Sequence, residues 1–264
     1  MPKSSSGLRA NAKYYANRPG DYDEDTGTYG GWEPAFQVGD RERFDSPGVE
    51  RRWNDFVDEF NETLTREDEK AIMRDGRFGF IMTGHSFDIN EKLYDPANAG
   101  KSDEEIFTQR DSRGRLRDLQ TVKALDRVIS TGKTPRNAVF TRFSNFDAIK
   151  SLFELNGDQV RALMQARRMP ESEVKKLSAA MKGTISRSKS YTCTSGNRRL
   201  NVFRSSPVER KLYVPQGTNA FAVRRNIFES EVTFGRGVRT ELMGITVSKD
   251  GHLVLHERFI GYKK

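Results

Sequence analysis

Three observations predict an α+β fold in which an N-terminal helical lobe packs against a two-sheet β core. Apolar residues recur at helical spacing from residue 47 to about 134. Beyond residue 135, six short β-rich runs follow one earlier strand and its helices. Gly, Asn or Asp turns separate those six runs, with no helix-length periodic segment among them. At 264 residues, with 35% hydrophobic content that includes 17 Phe, 8 Tyr and 2 Trp, the chain can fill one large core, which excludes global disorder. No stretch approaches the roughly 18 consecutive apolar residues of a membrane span, so no membrane-spanning interaction is expected.

Residues 1–46 read as a mostly flexible arm: Ser4 to Ser6, Pro19, an acidic run and Gly30-Gly31 interrupt any period, leaving Tyr14, Tyr15, Tyr29 and Trp32 for isolated docking contacts. The folded domain is expected over 47–264, with a helical lobe at 47–134 and a mixed core at 135–264. In ERRWNDFVDEF, Trp53, Phe56, Val57 and Phe60 form one helical stripe. Thr65 before REDEKAIM, with Asp68 three positions on, marks a capped helix start, and Gly76 and Gly79 interrupt that helix. Leu116, Leu119, Val122, Leu125, Val128 and Ile129 form another stripe that ends before Thr131-Gly132. NAVFTRF is the first clear strand. Helices are expected over Asp147 to Leu152, through Val160, Leu163 and Met164, and after Pro170 through Val174 and Leu177. SYTCTS, RKLYVPQ, NAFAVRR, IFESEVTF, ELMGITV and HLVLHERF are the remaining strands.

Charge divides the chain. Residues 1–50 carry six basic and nine acidic groups, whereas residues 171–264 carry eighteen basic and eight acidic ones. Such a field suits a nucleotide pyrophosphate, a nucleic acid or an acidic protein, with a solvated basic face as the plain alternative. Cys193 is the sole cysteine, so no internal disulfide forms and a reducing compartment fits. His85, His252 and His256 match no metal-ligand spacing, and no metal is expected. The sharpest local feature is IFESEVTF, where strand alternation puts Glu229 and Glu231 on one face and Phe228, Val232 and Phe234 on the other. Two carboxylates in one cleft can divide the work, one facing a developing cation and the other positioning an incoming group; an exposed acidic edge is the alternative.

Taken with NAVFTRF and YTCTS, this segment resembles the toxin-type mono-ADP-ribosyltransferases. Those proteins carry an arginine strand, an aromatic-x-Ser-Thr-Ser strand and a C-terminal Glu-x-Glu in this order. KLYVPQGTNAFAV resembles the family's strand and turn before the recognition loop, and LTREDEKAI, Gly76 and DINEKL resemble its helical lobe. The resemblance implies that NAD is the ADP-ribose donor and that Arg142 holds its pyrophosphate. It also implies that Thr194 and Ser195 orient the nicotinamide ribose and the catalytic carboxylate. Glu231 would stabilise the positive charge that grows as the glycosidic bond loosens, and Glu229 would activate an acceptor arginine. Cys193 stands where the family has its first Ser and is with Thr194 and Ser195 a candidate NAD contact, and Phe143 follows Arg142 where related proteins often have Gly. Asn197, Arg199 and Phe203 are candidates to line the nicotinamide or phosphate side. Phe221 is a candidate acceptor-recognition surface with hydrophobic burial as the alternative, and Arg224 and Arg225 would attract an acidic target, with general surface charge as the alternative. A protein with an accessible arginine is the expected partner. The alternatives are an RNA or DNA acceptor guided by the basic half, or a catalytically weak interaction module. Bacterial or host cytoplasm is the expected place of action, reached as a phage-delivered or secreted effector.

Overall fold

The structure is a computed structural model that describes residues 22–23, 28–39, 42–43, 46–60, 65, 67, 72, 85–110, 114, 116–200, 203–224 and 230–263. The helical lobe contains α1 (Pro47–Phe60), α2 (His85–Tyr94), a short α3 (Asp103–Ile106) and α4 (Arg117–Thr131). In α1 the expected stripe is the buried one: Val49, Trp53, Phe56, Val57 and Phe60 all face inward. In α4, Leu119, Val122, Leu125, Val128 and Ile129 do the same, and the helix stops at Gly132, where the sequence places its end. Helix α3 is additional to the sequence expectation; a capping box between Ser102 and Glu105 starts it. The helix expected after Thr65, with Gly76 and Gly79, lies almost wholly outside the described residues.

Strand β3 (Ala138–Ser144) leads into α5 (Phe146–Phe153), α6 (Gly157–Ala166) and α7 (Glu171–Met181). The side chains of Asn145 and Asn156 cap α5 and α6, each accepting a backbone N–H of the first turn. Then come β4 (Ile185–Arg187), β5 (Thr192–Ser195), β6 (Val208–Val214), β7 (Phe221–Ala222), β8 (Glu231–Phe234), β9 (Val238–Val247) and β10 (Leu253–Tyr262). Among the described residues these form one ladder of order β4-β9-β10-β6-β3-β5-β8-β7. All neighbours are antiparallel except β6 and β10. The join between β3 and β5 is a single register pair, Thr141 with Ser195. The ladder therefore divides into a five-stranded and a three-stranded part that meet at one corner, and this corner carries the candidate site.

Three apolar clusters surround it. Ala138, Phe140, Leu212 and Val214 of the larger part pack with Val232 and Phe234 of the smaller part and with the α1 stripe. Helices α5 to α7 cover β6, β9 and β10 through Ile149, Leu163, Val174, Leu242 and Leu255. The rest of the helical lobe packs on Tyr191, Cys193, Phe221 and Val223.

Residues 28–39, expected within a mostly flexible arm, are in fact part of the core. Trp32, Ala35, Phe36 and Val38 are buried, and Pro34 bridges to Val139 of β3. The reason is non-local, because these apolar residues follow no helix or strand period and find cover on β3, β6 and α1. A short hairpin of β1 (Tyr22–Asp23) and β2 (Thr28–Tyr29) precedes this segment, and the Tyr29 ring packs edge-on against Tyr213 and His256.

Candidate active site

Strand register assembles the site. Ser195 on β5 pairs with Thr141 on one side and with Glu231 on the other. Arg142 follows Thr141, and its guanidinium donates to the Cys193 carbonyl at 2.6 Å. Arg142 and Glu231 therefore sit on strands that flank β5, tied to positions two residues apart along it. Cross-strand partners share a face, so Cys193, Ser195, Glu231 and Thr233 lie on one face, the one whose Cys193 packs with α2 and α4.

Arg142 is partly buried, and that burial, ahead of the nearby Arg210, lowers its guanidinium below the ordinary arginine value; the Cys193 contact and Tyr94 of α2 work in the opposite direction. A partly buried guanidinium beside a second cation favours an incoming anion. Arg210 is itself matched, because Nε and an Nη of its fork donate to the two Glu257 oxygens at 2.5 and 2.6 Å, and both side chains are at most 5% exposed. Arg210 thus faces a carboxylate, whereas Arg142 donates to a backbone carbonyl.

Glu231 is fully buried, and Thr233 donates its hydroxyl to Oε1 at 3.0 Å. Backbone bonds hold the residue from both sides: Val223 N–H donates to the Glu231 carbonyl at 3.0 Å, and Gly196 N–H donates to the carbonyl of Ser230 at 2.8 Å. Ser230 has φ 46°, the left-handed region that side-chain-bearing residues rarely adopt. Glu229 lies outside the described residues, as does Arg225.

The other sequence candidates divide between pocket and scaffold. Thr194 spends its hydroxyl proton on the Val232 carbonyl at 2.7 Å, and Ser195 spends its own on the Asn197 carbonyl at 2.7 Å. Asn197 is buried with both ends of its amide engaged: Nδ2 donates to Phe36 O at 2.7 Å and Oδ1 accepts from Arg199 N–H at 2.9 Å. These bonds tie Asn197 into the scaffold between residue 36 and the turn after β5. Phe203 is exposed, its ring 6.3 Å from that of exposed Phe87 on α2. Phe221 is a correction: at 2% exposure it packs into the cluster beneath the helical lobe, so its ring offers no face to an acceptor. Arg224 pairs with Asp58 of α1, which matches its charge within the fold.

Both departures from the family pattern have structural reasons. Cys193 points into the apolar cluster with Tyr191 and Phe221, where a thiol behaves as a small hydrophobe. Phe143 alternates away from Arg142 and packs with the ring of His252 and the guanidinium of Arg198, so it fills no space beside the arginine.

No sequence signal announces the fastening between lobe and core. Arg236, just beyond β8, donates to Asp103 at 2.7 and 3.0 Å and pairs with Asp126 of α4. Asp126 also accepts the Tyr191 hydroxyl at 2.6 Å. Burial alone would pull Arg236 down, but these carboxylates outweigh it and raise it above the ordinary arginine value. Burial and Asp126 likewise raise the Tyr191 phenol, which stays neutral and donates.

The sequence matches the ADP-ribosyltransferase exoenzyme family over residues 51–259, and the chain belongs to that family. A search of curated protein sequences gives no match. Among solved structures, C3stau2 from S. aureus with NAD is similar at 20% identity and TM-score 0.60, covering 84% of this chain and all of that one. The C3 exoenzyme of Clostridium limosum is similar at 18% identity and TM-score 0.52, covering 80% and 92%. The Vis toxin of Vibrio splendidus, in complex with agmatine, is similar at 12% identity and TM-score 0.51, covering 86% and 89%. At these identities the likeness is one of fold. No helix among the described residues is long and apolar enough to cross a membrane.

Proposed function

We propose that this chain transfers a single ADP-ribose from NAD to an arginine side chain of a protein target, releasing nicotinamide. The observation that carries the reading is the pairing across β5: the Arg142 guanidinium on the Cys193 carbonyl, and Glu231 opposite Ser195. NAD supplies an electrophilic sugar carbon on a cleavable bond to nicotinamide. Arg142 holds the pyrophosphate, which its planar donor fork and desolvated charge suit. Glu231 faces the sugar as that bond loosens, and a fixed, buried carboxylate favours the resulting oxocarbenium-like charge more than it favours neutral ribose. Thr194 and Ser195 act by holding β5 and its following turn in place, with Cys193 filling the apolar side and Phe203 available at the rim. The Glu-x-Glu pattern assigns Glu229 to the acceptor: a protonated guanidinium has no lone pair to offer, so a neighbouring carboxylate orients it and takes its proton. A neighbour of the same fold that holds agmatine, an arginine-like guanidine, supports this choice of acceptor.

The test is incubation of the full chain with NAD labelled in the adenylate portion and separated host proteins and nucleic acids. Glu231→Gln is expected to lower nicotinamide release by about 10² to 10³, the scale of losing one preorganised electrostatic contact. Glu229→Gln is expected to keep nicotinamide release and lose transfer to arginine. Label that survives protease and is released by nuclease would replace the protein acceptor with a nucleic acid. Unchanged transfer in both variants would end the assignment.

A further inference from the structure

Residues 32–38 lie before the region that matches the family, yet they reach the site directly. Phe36 N–H donates to Gly196 O at 2.9 Å, and Phe36 O accepts from Asn197 Nδ2 at 2.7 Å, so one residue of the segment binds the 195–197 turn twice. The turn is closed from within, because the Ser195 hydroxyl donates to the Asn197 carbonyl and accepts from Asn197 N–H at 3.3 Å. On its far side, Gly196 N–H donates to Ser230 O. The Gly196 peptide thus links the segment to the residue before Glu231, the same Ser230 that is held in the left-handed region.

Packing reinforces the link. The Phe36 ring meets Trp53 of α1 edge-on at 5.1 Å, and the Trp53 indole donates to Val223 O at 3.0 Å. Val223 in turn binds the Glu231 carbonyl. The Phe36 Cβ and Trp53 ring press against Gly196 so closely that a Cβ there would meet them at 3.3 and 3.4 Å. Ser230 and Glu231 are therefore held through two routes, one ending on Phe36 and the other on Trp53, and those two rings touch each other.

We propose that residues 32–38 are a positioning strap for Glu231, acting through Phe36, Gly196 and Asn197 to hold the Ser230 backbone and so aim the catalytic carboxylate. The strap touches no reacting atom. A left-handed Ser230 is costly by itself and persists only where its surroundings over-determine it, and a carboxylate that stabilises a transition state loses effect with small misplacement. Loosening the strap at Phe36 should therefore slow the bond-breaking step and spare NAD binding, because the bonds of Glu33 and Ala35 to Val139 still hold the strand that carries Arg142. This inference rests on the assignment of Glu231 above.

The experiment measures nicotinamide release from NAD by the full chain, with kcat and KM separated and the melting midpoint recorded for each variant. Asn197→Asp keeps the shape and the acceptor for Arg199 N–H and removes the donor to Phe36. Gly196→Ala, whose backbone lies outside the left-handed region, pushes the strap away by its added Cβ. Each is expected to lower kcat at least tenfold, with KM within about twofold of wild type. Glu231→Gln runs alongside. If it loses activity while Asn197→Asp and Gly196→Ala keep wild-type kcat, the strap inference fails and the glutamate assignment stands. If Glu231→Gln itself keeps wild-type kcat, both fall. A loss of kcat that comes only with a matching loss of NAD binding and a lowered melting midpoint would also overturn the strap, leaving these residues a purely structural role.

Discussion

The buried pair behind Arg142 gives the strongest test of how this site is held together. Glu257→Gln keeps shape but removes the charge that both donor nitrogens of the Arg210 fork face at 2.5 and 2.6 Å, and it weakens the acceptor for the Thr240 hydroxyl. Arg210 is 4% exposed, so water cannot replace the lost partner, and Arg142 beside it adds like-charge repulsion. Breaking one side of a buried pair costs about 3 to 5 kcal/mol. In a domain of this size, about 2 to 4 °C of melting midpoint accompanies each kcal/mol, so the midpoint should fall by roughly 6 to 20 °C. Differential scanning calorimetry and urea melts measure it. The double variant Arg210→Met with Glu257→Leu removes both charges and restores apolar volume, and it should lose less than Glu257→Gln alone, since the cost lies in the orphaned charge rather than in the missing attraction. A Glu257→Gln protein within about 1 kcal/mol of wild type, or a double variant worse than the single, would refute this reasoning.

Arg142→Lys keeps the charge but replaces a planar fork with a point donor; it is expected to raise KM for NAD at least tenfold with a smaller effect on kcat, read in steady-state nicotinamide release. Cys193→Ser, which restores the family residue, buries a hydroxyl in the cluster of Tyr191 and Phe221 and should cost about 1 to 3 kcal/mol in urea melts without raising activity. His256 is fully buried between Tyr213 and Thr246, and burial, with Lys211 behind it, pushes its imidazole down from 6.5 to about 3. The unfolded chain then binds a proton that the folded chain does not, so its contribution to stability is intact above pH 6.5 and is lost as pH falls toward 3. The slope is at most about 1.4 kcal/mol per pH unit. Comparing urea melts at about pH 7.5 and 4.5, on either side of the unfolded imidazole value, His256→Gln should lose less stability on acidification than wild type; equal losses would remove His256 as the cause.

Whatever a local period encodes can be read from the sequence. The α1 and α4 stripes, the strand at NAVFTRF and the later strands are legible because burial on one face repeats at 3.6 or 2 residues, and the three landmark segments fall on adjacent strands. Positions whose role depends on a distant partner cannot be read this way. Phe36 is one aromatic in a stretch with no period, and nothing near it in sequence announces Gly196 or Trp53. Phe221 resembles a surface ring in sequence because Asn219 and Arg224 are close by, whereas its strand face is set by pairing with Thr233 beneath the helical lobe. Asn197 resembles a ligand contact because polar residues after a polar strand often are, yet its amide joins two backbone segments.

The same separation between composition and contact changes the meaning of the charge asymmetry. Counted along the chain, residues 171–264 are strongly cationic, with eighteen basic groups against eight acidic ones. In space, several of those cations meet carboxylates from the other half: Arg236 takes Asp103 and Asp126, and Arg224 takes Asp58. Others are matched within the half itself, Arg198 by Glu209 and Asp250, Arg210 by Glu257 and Arg258 by Glu241. These pairs neutralise part of the cationic surplus of residues 171–264 within the fold, and Arg142 stands beside an Arg210 that is already paired. A polyanion follows an extended run of cations, whereas a pyrophosphate is held by one well-placed donor fork. Charge reversal of exposed lysines in 171–264 should therefore weaken binding of a nucleic acid and leave KM for NAD within about twofold, whereas Arg142→Lys should do the opposite.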